Sequence, residues 1–403
     1  MIKTLVVENF KAIKYLKIAF TPFTVLIGGN SCGKSTILQA LDFMRAFTTR
    51  DIDEYLHERG WAFDDLNTQF SKKGIGIGVG LSLLVNGKPQ NIAYTFTVDN
   101  STRRIITTER IQNMDENKIL VLRGIDESSV PENMDKFYLK SSFLKLIDEN
   151  NPSDEYPAEL YAVKKFFAQS SSYELLNPDR MREKGSRGEV KNIGMGGEKL
   201  AAYINKMSDS QRNKMNKILS GFIGYVAKTT TEMQWPGWVE LFLNENFSEA
   251  LTKIKAAHIS DGLLRLIALI AASLPEKKAR QRLLPNMVVN IPDSGFILFD
   301  EIEDGINLNL IEKVINMLRK TGDELNKQVI VTTHSPVIAD SLKPEEIIYM
   351  WRGNDGQIQA KPMFSTEQMR RPLRALSPGE VWINYDKSEI LERLSTGMEA
   401  QPR

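Results

Sequence analysis

Eight residues, Gly28 to Ser35, read G-G-N-S-C-G-K-S and carry the G-x-x-x-x-G-K-S spacing that suits a nucleoside triphosphate. Gly28 and Gly33 permit backbone angles and a close approach that a Cβ would forbid. The backbone N–H groups of Asn30, Ser31, Cys32 and Gly33, with Thr36 at the helix start, are placed to face phosphate oxygens. Lys34 supplies a point charge for the β- and γ-phosphates, and the Ser35 hydroxyl a ligand for Mg²⁺. Three further sets carry chemistry. Asp300 and Glu301 are adjacent carboxylates, suited to holding Mg²⁺ and to positioning an attacking water. His334 follows an apolar run, at the edge where α/β sheets place ligands, and a γ-phosphate role is favoured over a structural one. Ser260-Asp261-Gly262 precede a long apolar helix pattern. Either Ser260 or Asp261 can cap that helix, and its start is a second potential anion site.

The elements that must position these residues are readable from periodicity. Val25-Leu26-Ile27 reads as a strand buried in a parallel sheet, and a helical pattern begins at Thr36. Residues 1–20 alternate as two antiparallel strands with Asn9-Phe10-Lys11 at their turn, and residues 74–111 alternate as an antiparallel meander with an Asn86-Gly87 turn. From 112 to 220 the pattern turns helical and polar, with amphipathic helices expected over 135–148 and 155–170. Residues 180–199 are rich in Arg, Lys and Gly, which reads as a mobile basic loop. Such a loop suits either a phosphate backbone or a solvated linker. Strand character returns around Trp235, Trp238 and residues 239–243. Residues 295–301 read as a buried strand ending in the two carboxylates, which alternation would turn to opposite sides. The organisation expected is therefore an α/β nucleotide-binding fold with residues 1–111 as a first lobe, 112–220 as a helical insertion, 221–345 as a second lobe and 346–403 as a C-terminal extension.

Composition narrows the function classes. Lys and Arg total 52 against 51 Asp and Glu, so a nucleic-acid partner would need a local basic patch. Cys32 is the single cysteine and the three histidines are dispersed, which excludes intrachain disulfides and argues against a zinc centre. No run is long enough to span a bilayer and no signal-peptide pattern opens the chain. A reducing cytoplasm is the expected compartment.

The order of these motifs resembles the ABC-type ATPases of the OLD/RecF/SMC group, and within it the compact AAA family ATPases of bacterial anti-phage defence. The resemblance runs from Asn9-Phe10-Lys11 to Ser377-Pro378-Gly379-Glu380. Residues 259–265, I-S-D-G-L-L-R, are similar to that group's signature, and residues 298–307, L-F-D-E-I-E-D-G-I-N, to its Walker B and D-loop. The resemblance implies a P-loop NTPase with an ABC-type head, and a homodimer or higher homo-oligomer that sandwiches ATP. Gly28–Ser35 of one protomer would hold the nucleotide, and Ser260, Asp261 and Gly262 of its partner would cap the γ-phosphate. By the same resemblance Ser35 and Asp300 bind Mg²⁺, Glu301 is the general base and His334 the switch histidine. Asn9, Phe10 and Lys11 would contact the adenine, and Gln69 would be the Q-loop ligand of the metal. Where many relatives carry His-Pro after the D-loop, this chain has Asn307-Leu308, so partner contacts are expected to differ.

The resemblance further implies an ATPase that senses or gates nucleic acid and controls a separately encoded effector such as a nuclease. No intrinsic nuclease is expected, because about seventy residues after His334 are too few for a further catalytic domain. A transporter subunit is disfavoured by the 266 positions between Lys34 and Asp300. A RecF-type repair clamp and a module that holds ATP without turnover are the alternatives, and DNA, RNA or a phage protein are all open as the ligand.

Overall fold

The alternation of residues 2–19 folds as an antiparallel pair, β1 (Ile2–Phe10) and β2 (Ile13–Ala19), with Leu5, Val7, Leu16 and Ile18 turned inward. β3 (Phe23–Ile27) is buried at all five positions, as a strand covered on both faces must be. These elements come from a computed structural model that describes residues 1–68, 73–99, 106–124, 141–152, 155–174, 176–186, 188, 190, 192–247, 250–274 and 290–396.

The meander follows as β4 (Ile75–Val85), β5 (Lys88–Val98), β6 (Ile106–Asn113) and β7 (Lys118–Gly124). Asn86 and Gly87 both have positive φ, 50° and 76°, the geometry of a two-residue hairpin turn. The fourth strand was not expected, because residues after 112 read as helical. Ile119 to Leu122 instead pair back onto β6 across Asn117 at φ 51°, burying Val121 against its partner Ile111. The six strands run in the order β2-β1-β4-β5-β6-β7.

The chain divides into two compact units. The first comprises Met1–Ser171, Leu283–Leu298 and Asn326–Arg403; the second comprises Ser172–Arg282 and Phe299–Leu325. β8 (Ser171–Tyr173) lies where the chain passes from one to the other. The second unit holds β9 (Gly185–Ser186), β10 (Val226–Gln234), β11 (Trp238–Phe247) and β12 (Ala250–Lys255), an antiparallel sheet whose inner face buries Val239, Leu241 and Leu243. Its helices include Pro178–Arg182, Leu200–Lys206, Asp209–Phe222 and Asp261–Ala272.

In the first unit, β13 (Gly295–Phe299), β14 (Lys327–Thr333), β15 (Ile347–Arg352) and β16 (Ile358–Pro362) complete a mixed sheet in the order β16-β15-β3-β14-β13-β8. β3 pairs in parallel with both β14 and β15, while β16 is an antiparallel edge. The helix Lys34–Thr49 buries a ring cluster made with the antiparallel sheet. Phe43 sits 5.8 Å from Phe10 and from Phe47, and Phe47 stacks on Phe96 at 4.5 Å. Each fully buried ring is worth about 1.5–3 kcal/mol relative to exposure. Gln328 joins the two sheets: its side chain accepts from Ile2 N at 2.9 Å and donates to the carbonyls of Ile2 (3.0 Å) and Thr21 (2.8 Å).

Two further expectations change. The helix expected over 155–170 is Ala158–Ala168, but within 135–148 the described part is a single 3-10 turn, Phe143–Leu146, capped by Ser142; residues 135–140 lie outside the described residues. The strand expected to reach residue 301 stops at Phe299. Glu301 has φ 44°, so a left-handed turn rather than strand alternation sets the directions of Asp300 and Glu301.

Candidate nucleotide site

Because β3 and β14 are parallel and in register, Ile27 lies opposite Thr333, and Gly28 and His334 leave the sheet at the same edge. Tyr349 of β15 also pairs with Ile27, which puts Met350 against the first glycine. Gly28 has φ 147°, and a Cβ there would overlap the Met350 carbonyl oxygen. Gly33, at φ 91°, is the N-cap of the helix Lys34–Thr49 and abuts the Ile358 side chain. Ser31 takes a left-handed turn at φ 58°. No side chain caps this helix, so its first N–H groups are the anion-facing kind.

Within the loop, Asn30 and Ser31 are exposed, Ser35 and Thr36 half-buried, and Cys32 buried. Burial pushes the Cys32 thiol up, while the Lys34 charge pulls it down. Lys34 is itself buried and its Nζ donates to the carbonyls of Gly28 (2.8 Å) and Gly29 (3.0 Å), which aims the ammonium into the loop. The Ser35 hydroxyl and the Asp300 carboxylate are hard oxygen donors of the kind Mg²⁺ takes, and so fit that ion rather than a soft metal.

The turn expected at the adenine is formed by Asn9 and Lys11, at φ 53° and 50°. Phe10 between them is fully buried in the ring cluster, so its side chain belongs to the core. Lys11 Nζ donates to Gln39 Oε1 at 2.8 Å and lies 3.2 Å from the Trp61 ring centre. Gln69 lies outside the described residues.

A charged cluster that sequence reading missed braces the same helix. Asp42 is fully buried; Oδ1 accepts from Arg45 Nε at 2.8 Å, and Oδ2 from the Tyr55 hydroxyl at 3.0 Å and from Arg59. Burial alone would raise this carboxyl, but the Arg45 and Arg59 guanidiniums outweigh it and hold it at about 2. Arg59 lies over the Trp61 and Tyr55 rings, 4.5 and 5.0 Å from their centres.

In the second unit, Ser260 occupies the N-cap position of the helix Asp261–Ala272 (φ −63°, ψ 151°), yet its hydroxyl makes no cap hydrogen bond and is exposed. Ser142, Ser208 and Ser377 take up that bond at their own helix starts, while Ser335, before the short helix Pro336–Asp340, does not. Gly262 lies against the backbone of Gly305, where a Cβ would overlap the Gly305 carbonyl oxygen. Arg265 pairs with Asp304, which joins the helix Asp261–Ala272 to the turn after Asp300 and Glu301. Asp261 pairs with Arg182, whose guanidinium also donates to the Ile259 carbonyl at 3.0 Å and to Asp179 at 3.0 Å. The hydrogen bond to Asp261 raises Arg182 further above its ordinary range.

That pair corrects the mobile basic loop expected over 180–199. Arg180 and Arg182 end a short helix capped by Asn177, Gly185–Ser186 pair with β11, and Met181, Val190 and Ile193 are buried. Buried apolar residues anchor the segment, and Arg182 is paired with Asp261 and Asp179. Arg187 and Lys191 lie outside the described residues. Asp300 is half-buried, while Glu301 and His334 are exposed.

A buried strand, a glycine loop closing on a helix start, a lysine aimed inward and a histidine on the neighbouring parallel strand define a P-loop ATPase fold. The chain belongs to the family described as "AAA domain, putative AbiEii toxin, Type IV TA system", which matches residues 23–340. It is similar to a protein of Escherichia coli named "Retron Ec83 probable ATPase", with 24% identity over 405 residues that cover 87% of this chain and 71% of that one. Among solved structures it is similar to an Smc head bound to the C-winged helix domain of ScpA (17% identity, 89% of this chain and 96% of the other, TM-score 0.49). The SMC head domain of Thermotoga maritima gives 13% identity, 90% and 98% coverage and a TM-score of 0.44. Among the described residues no helix is long and apolar enough to cross a membrane.

Proposed function

We propose that this chain is an ATP-hydrolysing switch whose two copies enclose ATP and relay its turnover to a separately encoded effector, such as a nuclease, in an anti-phage defence module. The carrying observation is the exposed Ser260 hydroxyl, which stands at the N-cap of a twelve-residue helix and makes no cap hydrogen bond. In this reading the loop Gly28–Ser35 of one protomer holds the phosphates, with Lys34 exchanging its two carbonyl partners for phosphate oxygens. The Ser260 hydroxyl and the backbone N–H groups of Asp261 and Gly262 of the second protomer close on the γ-phosphate. Glu301 takes the proton of the attacking water, and His334 donates a hydrogen bond to the γ-phosphate as charge develops. Ser35 and Asp300 would hold Mg²⁺, which supplies charge neutralisation to the phosphates.

The toxin–antitoxin wording of the family and the retron relative support placing the switch in a defence module. A nucleic-acid trigger would act through exposed cations such as Arg180 and Lys184, and its affinity would fall steeply with salt.

The test uses the full chain with Mg-ATP. Lys34→Ala should abolish ATP binding by calorimetry. Glu301→Gln should bind ATP and self-associate while turnover is lost, because an amide accepts no proton. Undiminished turnover in Glu301→Gln would remove that residue from the role.

A further inference from the structure

The helix Asp261–Ala272 carries a contradiction if its start is to receive a phosphate. A carboxylate in the first turn stabilises the helix through its dipole, but Asp261 puts a negative charge, 65% exposed, where a triphosphate must approach. A second carboxylate, Asp179, stands beside it, 92% exposed. Between the two lies one guanidinium. Arg182 pairs with Asp261, bonds Asp179 at 3.0 Å and holds the Ile259 carbonyl, one residue before Ser260, at 3.0 Å. Arg265, on the same helix, is paired with Asp304.

We propose that Arg182 is a positioning residue for the signature. It neutralises Asp261 so that the helix start attracts the γ-phosphate carried by a second copy of this chain, and it fixes the backbone that presents Ser260. The inference rests on the ATP-sandwich reading above and adds to it a residue 79 positions away in sequence. The pair is partly exposed, at 23% and 65%, so its contribution to folding stability is small. Its effect is on anion docking. Without Arg182 the Asp261 and Asp179 carboxylates face the incoming triphosphate without the guanidinium that pairs with both.

The experiment measures ATP-dependent self-association of the full chain in the Glu301→Gln background, by sedimentation velocity across an Mg-ATP titration. Lys34→Ala is the nucleotide-free control and thermal denaturation the folding control. Arg182→Met should raise the ATP concentration for half-association by about tenfold, equivalent to about 1.4 kcal/mol, with the melting temperature unchanged. Arg182→Met combined with Asp261→Asn should return it to within about threefold of the parent, since removing the carboxylate removes the need for its neutraliser. Arg182→Lys, which keeps the charge, should fall between. A parent that does not associate with ATP overturns the sandwich and this inference with it. A parent that associates while Arg182→Met matches it overturns the positioning role alone. A double variant as weak as Arg182→Met overturns neutralisation.

Discussion

Replacing Asp42 with Asn is the sharpest test of how the phosphate-loop helix is held. The carboxylate is fully buried and receives Arg45, Tyr55 and Arg59. Arg59 has a side chain with no exposure, so its charge cannot turn to water when its partner goes, whereas that of Arg45 is 19% exposed and can. Breaking a buried pair from one side costs about 3–5 kcal/mol. The Tyr55 and Trp61 rings retain part of the cation's stabilisation, about 0.5–2 kcal/mol, and Asn keeps one acceptor. The expected loss is therefore roughly 3 kcal/mol. Because the chain forms two units, the readout must be local. Native-state hydrogen exchange of the amides in Lys34–Thr49 and Ile52–Arg59 should accelerate by roughly a hundredfold at pH 7. Asp42→Leu with Arg59→Met should recover most of the protection, since an apolar pair of similar volume leaves no buried charge. A single variant with unchanged exchange, or a double variant worse than the single, would refute the electrostatic account.

Two further expectations follow from the same unit. Asp42 sits at about 2 in the fold against 3.8 unfolded, so its contribution is complete above pH 4 and is lost as pH falls through 2. Native-state hydrogen exchange of the same amides, followed against pH, should show a loss of roughly 2–3 kcal/mol across that window in the parent, and Asp42→Asn should abolish it. Gly28→Ala places a Cβ against the Met350 carbonyl at φ 147°, a strain of about 1–3 kcal/mol that the loop must relieve by moving. Calorimetry should show ATP affinity weakened about tenfold or more, and unchanged affinity would mean the loop is not held where β15 puts it.

Legibility of the chain followed the range of the interactions. The phosphate loop, its strand and its helix were readable because the chemistry is written within about fourteen consecutive residues, and the meander because alternation and the Asn86-Gly87 turn are local. One helix start was also readable: Ser260 stands at the N-cap position, although its hydroxyl makes no cap bond. What the residue order concealed is contact between distant segments. Nothing near Asp261 names Arg182, and nothing near Asp42 names Arg59 as the cation buried with it. Nothing near Gly262 names the Gly305 carbonyl that lies against it. The basic stretch at 180–199 misled because its charge outweighed three apolar residues, Met181, Val190 and Ile193, that bury and anchor it. The end of β13 was missed for a different reason. Period-two reading cannot see the left-handed residue that terminates it, and Glu301 is of a type that seldom adopts that angle.

Gln328 gives the histidine strand a second occupation. Its amide presents a donor and an acceptor to Ile2 as a neighbouring strand would, so one side chain stands in for a missing rung between two sheets. From there to Thr333, the residue before His334, is a stiff rod of roughly 17 Å. One side chain therefore ties the position of β1 to the strand whose end carries His334.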